Sequence, residues 1–350
     1  MSLSDNKKRI TIKDVADVAG VSTQTVSRVI NNFSYVSTDT RQRVKGVIED
    51  LGYLPSMLAR SLCQQRSYTL GVVVYGLKYI GPSQALNGIA EAAEKLNYMV
   101  LMKVLDEYYS TKDVKSVIDS LISRHVDGII WTAPEIDESH AWLKYLLDSI
   151  PVPINFLAMV PREGLLSISL NNYEGAILAV QHLLDIGRKK IAHISGPLTW
   201  WVATERKRGW RDTLEKEGLS VPDHSCTEGN WSLTSGKRAF LQLYEAYPDM
   251  DAVFVANDQM ALSVLREARR LGINVPEQLA VVGFDNIAES AFFCPSLTTV
   301  SQDQQLIGEV AVNSIIEMIQ AEQENLALVD AHSRFITPTL IVRESSGSFD

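Results

Sequence analysis

The chain has 350 residues, 46% of them hydrophobic, and a formal net charge of −9. A chain of this length and apolar content can bury a sizeable core and divides into two or three domains. No apolar run reaches the roughly eighteen residues of a membrane span, and no apolar segment follows the N-terminal lysines. We therefore expect no membrane anchor and no secretory signal, and we place the protein in the cytoplasm.

Cysteine and histidine usage argues against metal chemistry. Cys63, Cys226 and Cys294 are scattered without CxxC spacing, and none of the six histidines pairs with a cysteine or carboxylate at metal-ligand spacing. No GxGxxG motif follows the first core strand, and no Walker lysine or activated nucleophile is recognisable. We expect no metal, no cofactor and no enzymatic activity.

The charge is unevenly distributed along the chain. Residues 1–67 contain ten Lys and Arg and six Asp and Glu, a balance of +4, which leaves 23 against 36, or −13, for the rest. We call residues 1–67 the basic head. A basic segment of this kind followed by an acidic remainder is typical of a segment that binds a polyanion.

A helix-turn-helix pattern occupies this basic head. The stretch "TIKDVADVAGV" (residues 11–21) has apolar residues at helical spacing and reaches Gly20, which can adopt the left-handed conformation that ends a helix. Ser22 or Thr23 can cap a second helix, and a third spans about 38–51. Helix, glycine turn and helix, with valines between them, predict a helix-turn-helix domain.

The second helix has an apolar stripe and a polar face. Val26, Val29 and Ile30 recur at helical spacing. The polar face consists of Thr23, Gln24, Ser27 and Arg28. Gln pairs bidentately with adenine, Arg pairs with guanine, and Ser or Thr contacts bases or phosphates. We expect this face to read DNA; the alternative is the solvated face of an ordinary three-helix domain.

Four stretches together resemble the lactose-repressor/galactose-repressor (LacI/GalR) family of transcription regulators: "TIKDVADVAGVSTQTVSRVINN", "YVSTDTRQRVKGVIEDLGYLPSMLARSL", "ANDQMAL" and "VVGFDN". The resemblance runs from about residue 10 to residue 344. It implies operator DNA, a sugar effector and a homodimer as partners. It also implies further DNA contacts at Thr11, Thr25, Asn31 and Tyr35.

The segment "PSMLARSLCQQRS" follows the third helix. Taken alone it is a linker, since a short isolated helix is marginal in water. The resemblance implies a hinge helix that orders on DNA and wedges Leu62 into the minor groove, where such wedges kink the duplex. The implied hinge contacts are Ser56, Ala59, Arg60 and Leu62.

From Tyr68 onward, short apolar runs alternate with helical segments. This alternation predicts a doubly wound parallel sheet, and the family resemblance implies two such lobes, similar to periplasmic binding proteins. We predict an α/β protein with an all-α helix-turn-helix DNA-binding domain (1–54), a hinge helix and linker (55–67) and an effector-binding and dimerisation core (68–350). The resemblance implies crossings between lobes near 167, 294 and 330, hence an N-lobe of about 68–166 and 295–329 and a C-lobe of about 167–294 and 330–345.

Open parallel sheets bind ligands beyond the carboxyl ends of their strands. That rule selects Trp131 with Thr132, Asn155 with Phe156, Asn257 with Asp258, and Asp285. Further candidates are Pro82, Trp200, Arg206, Trp231 and Gln302, of which Arg206, Trp231 and Gln302 match effector contacts of the family. The alternatives are that Asp258 caps a helix, that Trp200 or Trp201 is a core residue, and that Arg206 and Asp285 form a structural ion pair.

Several features bear on the effector and the assembly. Ala158 and Asn171 depart from residues common in the family, which leaves galactoside specificity open, and the added tryptophans suit a glucoside or a disaccharide. No leucine-repeat helix follows "TPTLIVRESS", so we expect a dimer. We predict a sugar-responsive repressor of carbohydrate-utilisation genes; the alternatives are a catabolite-control regulator that responds to a phosphorylated carrier protein, or a transport-type sugar-binding protein.

Overall fold

A computed structural model describes residues 10–31, 33–54, 66–105, 111–135, 141–324 and 333–347. The chain forms two compact units, residues 1–67 and residues 68–350. Within the described ranges, no helix has both the length and the apolar character needed to cross a membrane.

The first unit contains the helices α1 (Ile12–Ala19), α2 (Thr23–Ile30) and α3 (Thr38–Leu51). Each begins at a hydroxyl side chain, Thr11, Ser22 or Ser37, which accepts a hydrogen bond from the backbone N–H three residues later. Gly20 ends α1 with a φ of 65°, a conformation that side chains bearing a Cβ rarely adopt. The tight turn between α1 and α2 confirms the predicted helix-turn-helix.

Small apolar side chains from all three helices form the core of this unit. Val15 and Ala16 of α1, Val26 and Val29 of α2, and Val44 of α3 are buried together. Full burial of a valine-sized side chain contributes about 1.5 to 3 kcal/mol. The apolar stripe of α2 therefore faces the core and leaves its polar residues at the surface.

The second unit contains two six-stranded sheets, each at the centre of one lobe. The first sheet comprises β1 (Thr69–Tyr75), β2 (Met99–Leu105), β3 (Gly128–Trp131), β4 (Ile154–Leu157), β5 (Ser167–Leu170) and β11 (Ser333–Ile336). The second comprises β6 (Ile191–Ser195), β7 (Cys226–Glu228), β8 (Ala252–Val255), β9 (Ala280–Asp285), β10 (Thr298–Ser301) and β12 (Thr339–Ile341). Their strand orders are β11-β5-β4-β3-β1-β2 and β12-β10-β9-β8-β6-β7.

Helices pack around both sheets, as the alternating pattern predicts. They are α4 (Ile80–Lys95), α5 (Thr111–Ile122), α6 (Leu143–Leu146), α7 (Asn172–Asp185), α8 (Trp201–Lys216), α9 (Leu233–Ala246), α10 (Asp258–Leu271) and α11 (Gln304–Gln323). Central strands such as β3 and β8 are buried along their whole length, because parallel sheets are covered on both faces. Neighbouring strands are parallel except β10 and β12, which are antiparallel.

The chain crosses between the lobes at positions that correct the expected boundaries. β5 pairs with β4, so the first crossing follows residue 170 rather than lying near 167. β10 pairs with β9, so the second lies after residue 301 and not near 294. β11 pairs with β5, so the third lies after residue 336 and not near 330. The expected positions came from the family resemblance, and the apolar pattern of a short strand could not correct them, because it does not reveal which of two sheets the strand joins.

Candidate functional site

The face of α2 opposite its buried valines is polar. Thr23 and Gln24 are exposed, and Ser27 and Arg28 are partly exposed. The Arg28 guanidinium carbon lies 5.2 Å from the centre of the Tyr35 ring. This cation–π contact steadies the guanidinium at the helix surface, where its planar fork of donors suits guanine or phosphate.

Three further residues predicted to contact DNA have partners within the unit. The Thr11 hydroxyl donates to the Asp14 carboxylate (2.7 Å) as part of the α1 cap. The Thr25 hydroxyl lies 3.0 Å from that of the capping serine of α2, and the Asn31 amide donates to the Ser27 carbonyl (2.9 Å). These bonds orient the side chains, and their contacts with DNA stay predictions. The hinge residues Ser56, Ala59, Arg60 and Leu62 lie outside the described residues.

A cavity of about 890 Å³, counted with its open mouth, lies between the two lobes. It adjoins the carboxyl ends of strands in both sheets, where open parallel sheets bind ligands. The predicted residues that line it are Pro82, Thr132, Trp200, Arg206, Trp231, Asn257, Asp285 and Gln302.

Trp131 and Phe156 do not line this cavity, which corrects their expected position. Both are fully buried in a core cluster around Trp142, whose ring centre is 4.9 Å from that of Trp131 and 6.1 Å from that of Phe156. Both residues lie within strands, where successive side chains point to opposite faces. The next residues, Thr132 and Leu157, line the cavity instead.

Arg206 is a buried cation in the cavity wall, 5% exposed. Its Nε donates to the Asn172 side-chain oxygen (2.8 Å), its Nη1 donates to the Ala256 carbonyl, and its guanidinium carbon lies 3.7 Å from the centre of the Phe284 ring. Burial lowers the pKa of Arg206 to about 10, so it remains a cation at neutral pH. Its Nη2 has no partner among the described residues, which leaves that N–H₂ group for a ligand.

Two carboxyl groups lie near this cation. Asp285 Oδ1 lies 3.8 Å from Arg206 Nη1 and accepts a hydrogen bond from the Gln302 amide, while Oδ2 has no partner in the described chain. Burial raises the pKa of Asp285 to about 6 even though Arg206 opposes the shift. Asp258 is fully buried and accepts from the Thr299 hydroxyl (2.6 Å); burial, and next repulsion from Asp285, raise its pKa to about 8.

Asn257 is the residue that caps α10, whereas Asp258 was the expected alternative. Its Oδ1 accepts from the Met260 N–H (3.0 Å), and its Nδ2 donates to the Trp231 carbonyl (3.0 Å) and to the Gln259 side chain (2.7 Å). Both amide hydrogens are therefore used inside the protein. Asn257 shapes the cavity wall and fixes the Trp231 backbone without offering a free donor.

Trp231 provides a flat aromatic surface in the cavity. Its backbone φ is 71°, a strained value of the kind that clusters at functional sites. Its ring packs on the backbone of Gly196, where a Cβ would stand 2.1 Å from the indole. The indole N–H of Trp231 and the hydroxyl of Ser169, a residue that also lines the cavity, are buried and have no hydrogen-bond partner within the described ranges. Such groups favour a ligand that supplies one.

The sequence analysis missed part of the cavity wall. Tyr79 lines the cavity, and its ring centre lies 5.7 Å from that of Trp200; Asn172 and Ser169 line it as well. The strand-end rule would have selected Ser169 had β5 been recognised, whereas nothing in the sequence distinguished Tyr79. Trp200 and Trp201 are both partly buried, and Trp200 packs against a core cluster in each lobe, which agrees in part with the expectation that one of them is a core residue.

A helix-turn-helix unit and a two-lobed core with a cavity between the lobes define a DNA-binding regulator with a ligand-binding core. Residues 11–56 match the family described as bacterial regulatory proteins, lacI family, and residues 180–346 match the periplasmic binding protein-like domain. The chain therefore belongs to the lacI family and is a DNA-binding transcriptional regulator.

Individual relatives agree with this assignment. The chain is 32% identical over 315 residues to the Lactose operon repressor of Escherichia coli (strain K12), covering 90% of this chain and 86% of that protein. It is 33% identical over 327 residues to Catabolite control protein A of Priestia megaterium, covering 93% and 97%. The lac repressor dimer bound to operator and the anti-inducer ONPF has a TM-score of 0.84 at 30% identity, covering 97% and 99%. The complex of the transcriptional regulator CelR with cellobiose has a TM-score of 0.71 at 30% identity, covering 96% and 100%.

Proposed function

We propose that this protein is a repressor of carbohydrate-utilisation genes which leaves a pseudo-palindromic operator when a neutral glycoside or disaccharide binds between its lobes. One observation carries the proposal: four polar groups that have no partner in the described part of the chain belong to residues lining a cavity that is otherwise largely apolar and aromatic. These groups are Arg206 Nη2, Asp285 Oδ2, Ser169 Oγ and Trp231 Nε1.

The chemistry of these groups suits a sugar. Neighbouring hydroxyls both donate and accept, so they can satisfy a guanidinium, a carboxylate, a serine hydroxyl and an indole N–H in one ligand. The Trp231 ring offers a flat surface for the C–H face of a pyranose. Arg206 and Asp285 compensate each other, so a charged ligand would bring an uncompensated charge into a buried site at high cost.

A homodimer is part of this proposal. Two identical α2 helices read the two halves of a symmetric operator. Large apolar side chains exposed on the core include Met99 (69%) and Val104 (56%) on the edge strand β2, and Phe292 (88%) in the second lobe. Exposed apolar patches mark interaction surfaces, and we assign these to the partner subunit. The proposed regulator works in the cytoplasm and has no enzymatic activity.

The experiment measures operator binding and thermal unfolding across a panel of neutral mono- and disaccharides and aryl glucosides. We expect at least one sugar to raise the melting temperature and to release wild-type protein from its operator. Arg206→Ala should bind operator as the wild type does but resist release, since it loses charge-assisted hydrogen bonds to the sugar. Arg211→Ala, outside this cavity, is the matched control.

The outcomes separate the candidates. A sugar that tightens operator binding would be a corepressor and would reverse the proposed direction. An Arg206→Ala protein that responds normally would make the Arg206 and Asp285 pair purely structural. If no sugar shifts the melting temperature, the regulator that responds to a phosphorylated carrier protein becomes the better candidate.

A further inference from the structure

A second cavity, of about 650 Å³ with its open mouth included, lies where the chain first crosses between the lobes. We call it the crossover cavity. Its main lining residues are Pro161 and Phe335 from the first lobe, Asn171 at the crossing, and Tyr173, Trp201 and Glu205 from the second lobe. Because both lobes contribute walls, its shape depends on how the lobes are arranged.

The crossover cavity adjoins the main cavity through two pairs of consecutive residues. Trp200 lines the main cavity, and Trp201, the next residue, lines the crossover cavity. Asn171 lines the crossover cavity, and Asn172 lines both. The Asn172 side-chain oxygen accepts the hydrogen bond from Arg206 Nε (2.8 Å). A ligand in the crossover cavity therefore lies against Asn172, the residue whose side chain positions the Arg206 guanidinium.

The walls of the crossover cavity suit an uncharged ring. Tyr173, Trp201 and Phe335 supply aromatic side chains, against which the C–H face of a pyranose packs. Glu205 and Arg208 form an ion pair at 2.6 Å, and the Arg208 guanidinium lies 4.1 Å from the centre of the Tyr173 ring. The two charges at this wall compensate each other, so the cavity does not favour an ionised ligand.

Asn171 supplies a hydrogen-bond donor to this cavity. Its Oδ1 caps α7 by accepting from the Glu174 N–H (3.0 Å), whereas its Nδ2 has no partner among the residues described. An unpaired amide next to aromatic rings is the combination that binds a sugar hydroxyl and fixes the orientation of the ring.

We propose that the crossover cavity is a second binding site, for a neutral pyranoside, whose occupancy is coupled to the main cavity through Asn172. A ligand held by both lobes binds one lobe arrangement more tightly and shifts the equilibrium towards it. Only the class of ligand in this proposal, a neutral sugar, rests on the proposed function. It does not require the main cavity to bind the same sugar.

The test is ¹⁹F NMR of the full-length protein labelled with 5-fluorotryptophan at its six tryptophans. The probe is methyl β-D-glucopyranoside, and Trp201→Phe and Trp231→Phe variants assign the two diagnostic resonances. We expect the Trp201 resonance to shift along a saturating curve in the wild type. The same shift should persist in Arg206→Ala, in which the main cavity is impaired.

Two further variants test the aromatic wall. Phe335→Ser, at a side chain that is 46% exposed, should raise the half-saturation concentration of the Trp201 shift roughly fivefold by removing one ring. Tyr145→Ser, at a 78% exposed aromatic residue of the first lobe outside both cavities, should leave it unchanged.

Each outcome decides the proposal. A fixed Trp201 resonance with a moving Trp231 resonance overturns the second site and leaves the proposed function standing. Loss of the Trp201 shift in Arg206→Ala also overturns it, because the shift then originates in the main cavity. If the Trp201 resonance shifts and the Trp231 resonance does not, the second site is supported, and this sugar does not bind in the main cavity. If neither moves, the second site is overturned and this sugar is not an effector.

Discussion

The backbone N–H of Trp201, the first residue of α8, donates a hydrogen bond to the carbonyl of Glu135, which lies in the other lobe (N···O 3.2 Å). The Glu135 carboxylate in turn accepts from Arg162 Nη1 (2.8 Å) and from the Val160 N–H (2.9 Å). The bond joins the lobes beside Trp200 in the main cavity, so an increase in lobe separation at this point breaks it.

Arg162→Met should weaken this connection. Without its charge-assisted partner the Glu135 segment loses support, and the Trp201 amide should exchange its hydrogen roughly tenfold faster. Hydrogen exchange followed by mass spectrometry measures this, with Arg124→Met, at an exposed arginine of the same lobe, as control. Unchanged exchange at Trp201 would show that the bond does not depend on Arg162.

Gly196→Ala should abolish sugar binding while sparing DNA binding. The added Cβ would stand 2.1 Å from the buried Trp231 ring, so the indole must leave its position. Overpacking of this kind costs about 1 to 3 kcal/mol. Sugar titration and operator binding are measured in parallel. Gly46→Ala, where a Cβ meets no atom within 4 Å, is the control for alanine substitution itself. Normal sugar affinity in Gly196→Ala would show that Trp231 is not part of the binding surface.

The affinity for the effector sugar should fall as the pH drops below about 6. The pKa of Asp285 is about 6, and its protonation removes the ionised acceptor for a sugar hydroxyl. Isothermal titration calorimetry between about pH 5 and about pH 8, which extends roughly one unit below and two units above this pKa, measures the effect. Asp285→Asn should bind weakly at every pH, with a flat profile. A wild-type profile that is equally flat would mean that Asp285 does not contact the ligand.

The stability of the core should fall as the pH rises through about 8. Asp258 has a pKa of about 8, against an ordinary value of 3.8, so the folded state holds this proton more tightly than the unfolded state. Its contribution to the free energy of unfolding is fully present below about pH 4 and is lost through about pH 8. Urea unfolding across this range should show a smaller loss for Asp258→Asn than for the wild type. Asp148→Asn, at an exposed carboxylate, should behave like the wild type.

Arg28→Ala should lose about 1 to 3 kcal/mol of operator affinity at one base position if the guanidinium pairs with guanine. Binding to operators substituted at each position measures this. Arg43→Ala, at an exposed arginine of α3, is the comparison. It should either weaken binding to all operator sequences equally or leave binding unchanged. Equal weakening of every sequence by Arg28→Ala would make Arg28 a phosphate contact. Tyr35→Ala should reproduce part of the loss, because Tyr35 holds the guanidinium.

The sequence predicted the first unit well because its signals are local. Hydroxyl side chains that cap helices, a glycine turn and valines at helical spacing define α1 to α3 without reference to distant residues, and the third helix has the predicted bounds, 38–51. Arg206 and Asp285 were also identified as residues of the cavity wall. Trp131 and Phe156 were misplaced because a shift of one residue in a strand exchanges its two faces. The crossings depend on which sheet a strand joins, a long-range relationship that local pattern does not encode, and nothing in the sequence distinguished Tyr79.

Neither lobe is made from one uninterrupted length of chain, and this affects how the protein folds during its synthesis. β11 supplies the outermost strand of the first sheet beside β5, and β12 supplies that of the second beside β10. A ribosome must therefore release residues 333–341 before either sheet is complete. Until then both β5 and β10 present open edges, which invite pairing with other chains. A transcript truncated before the codons for residues 333–341 would yield an aggregation-prone polypeptide and not a repressor that merely lacks its response to sugar.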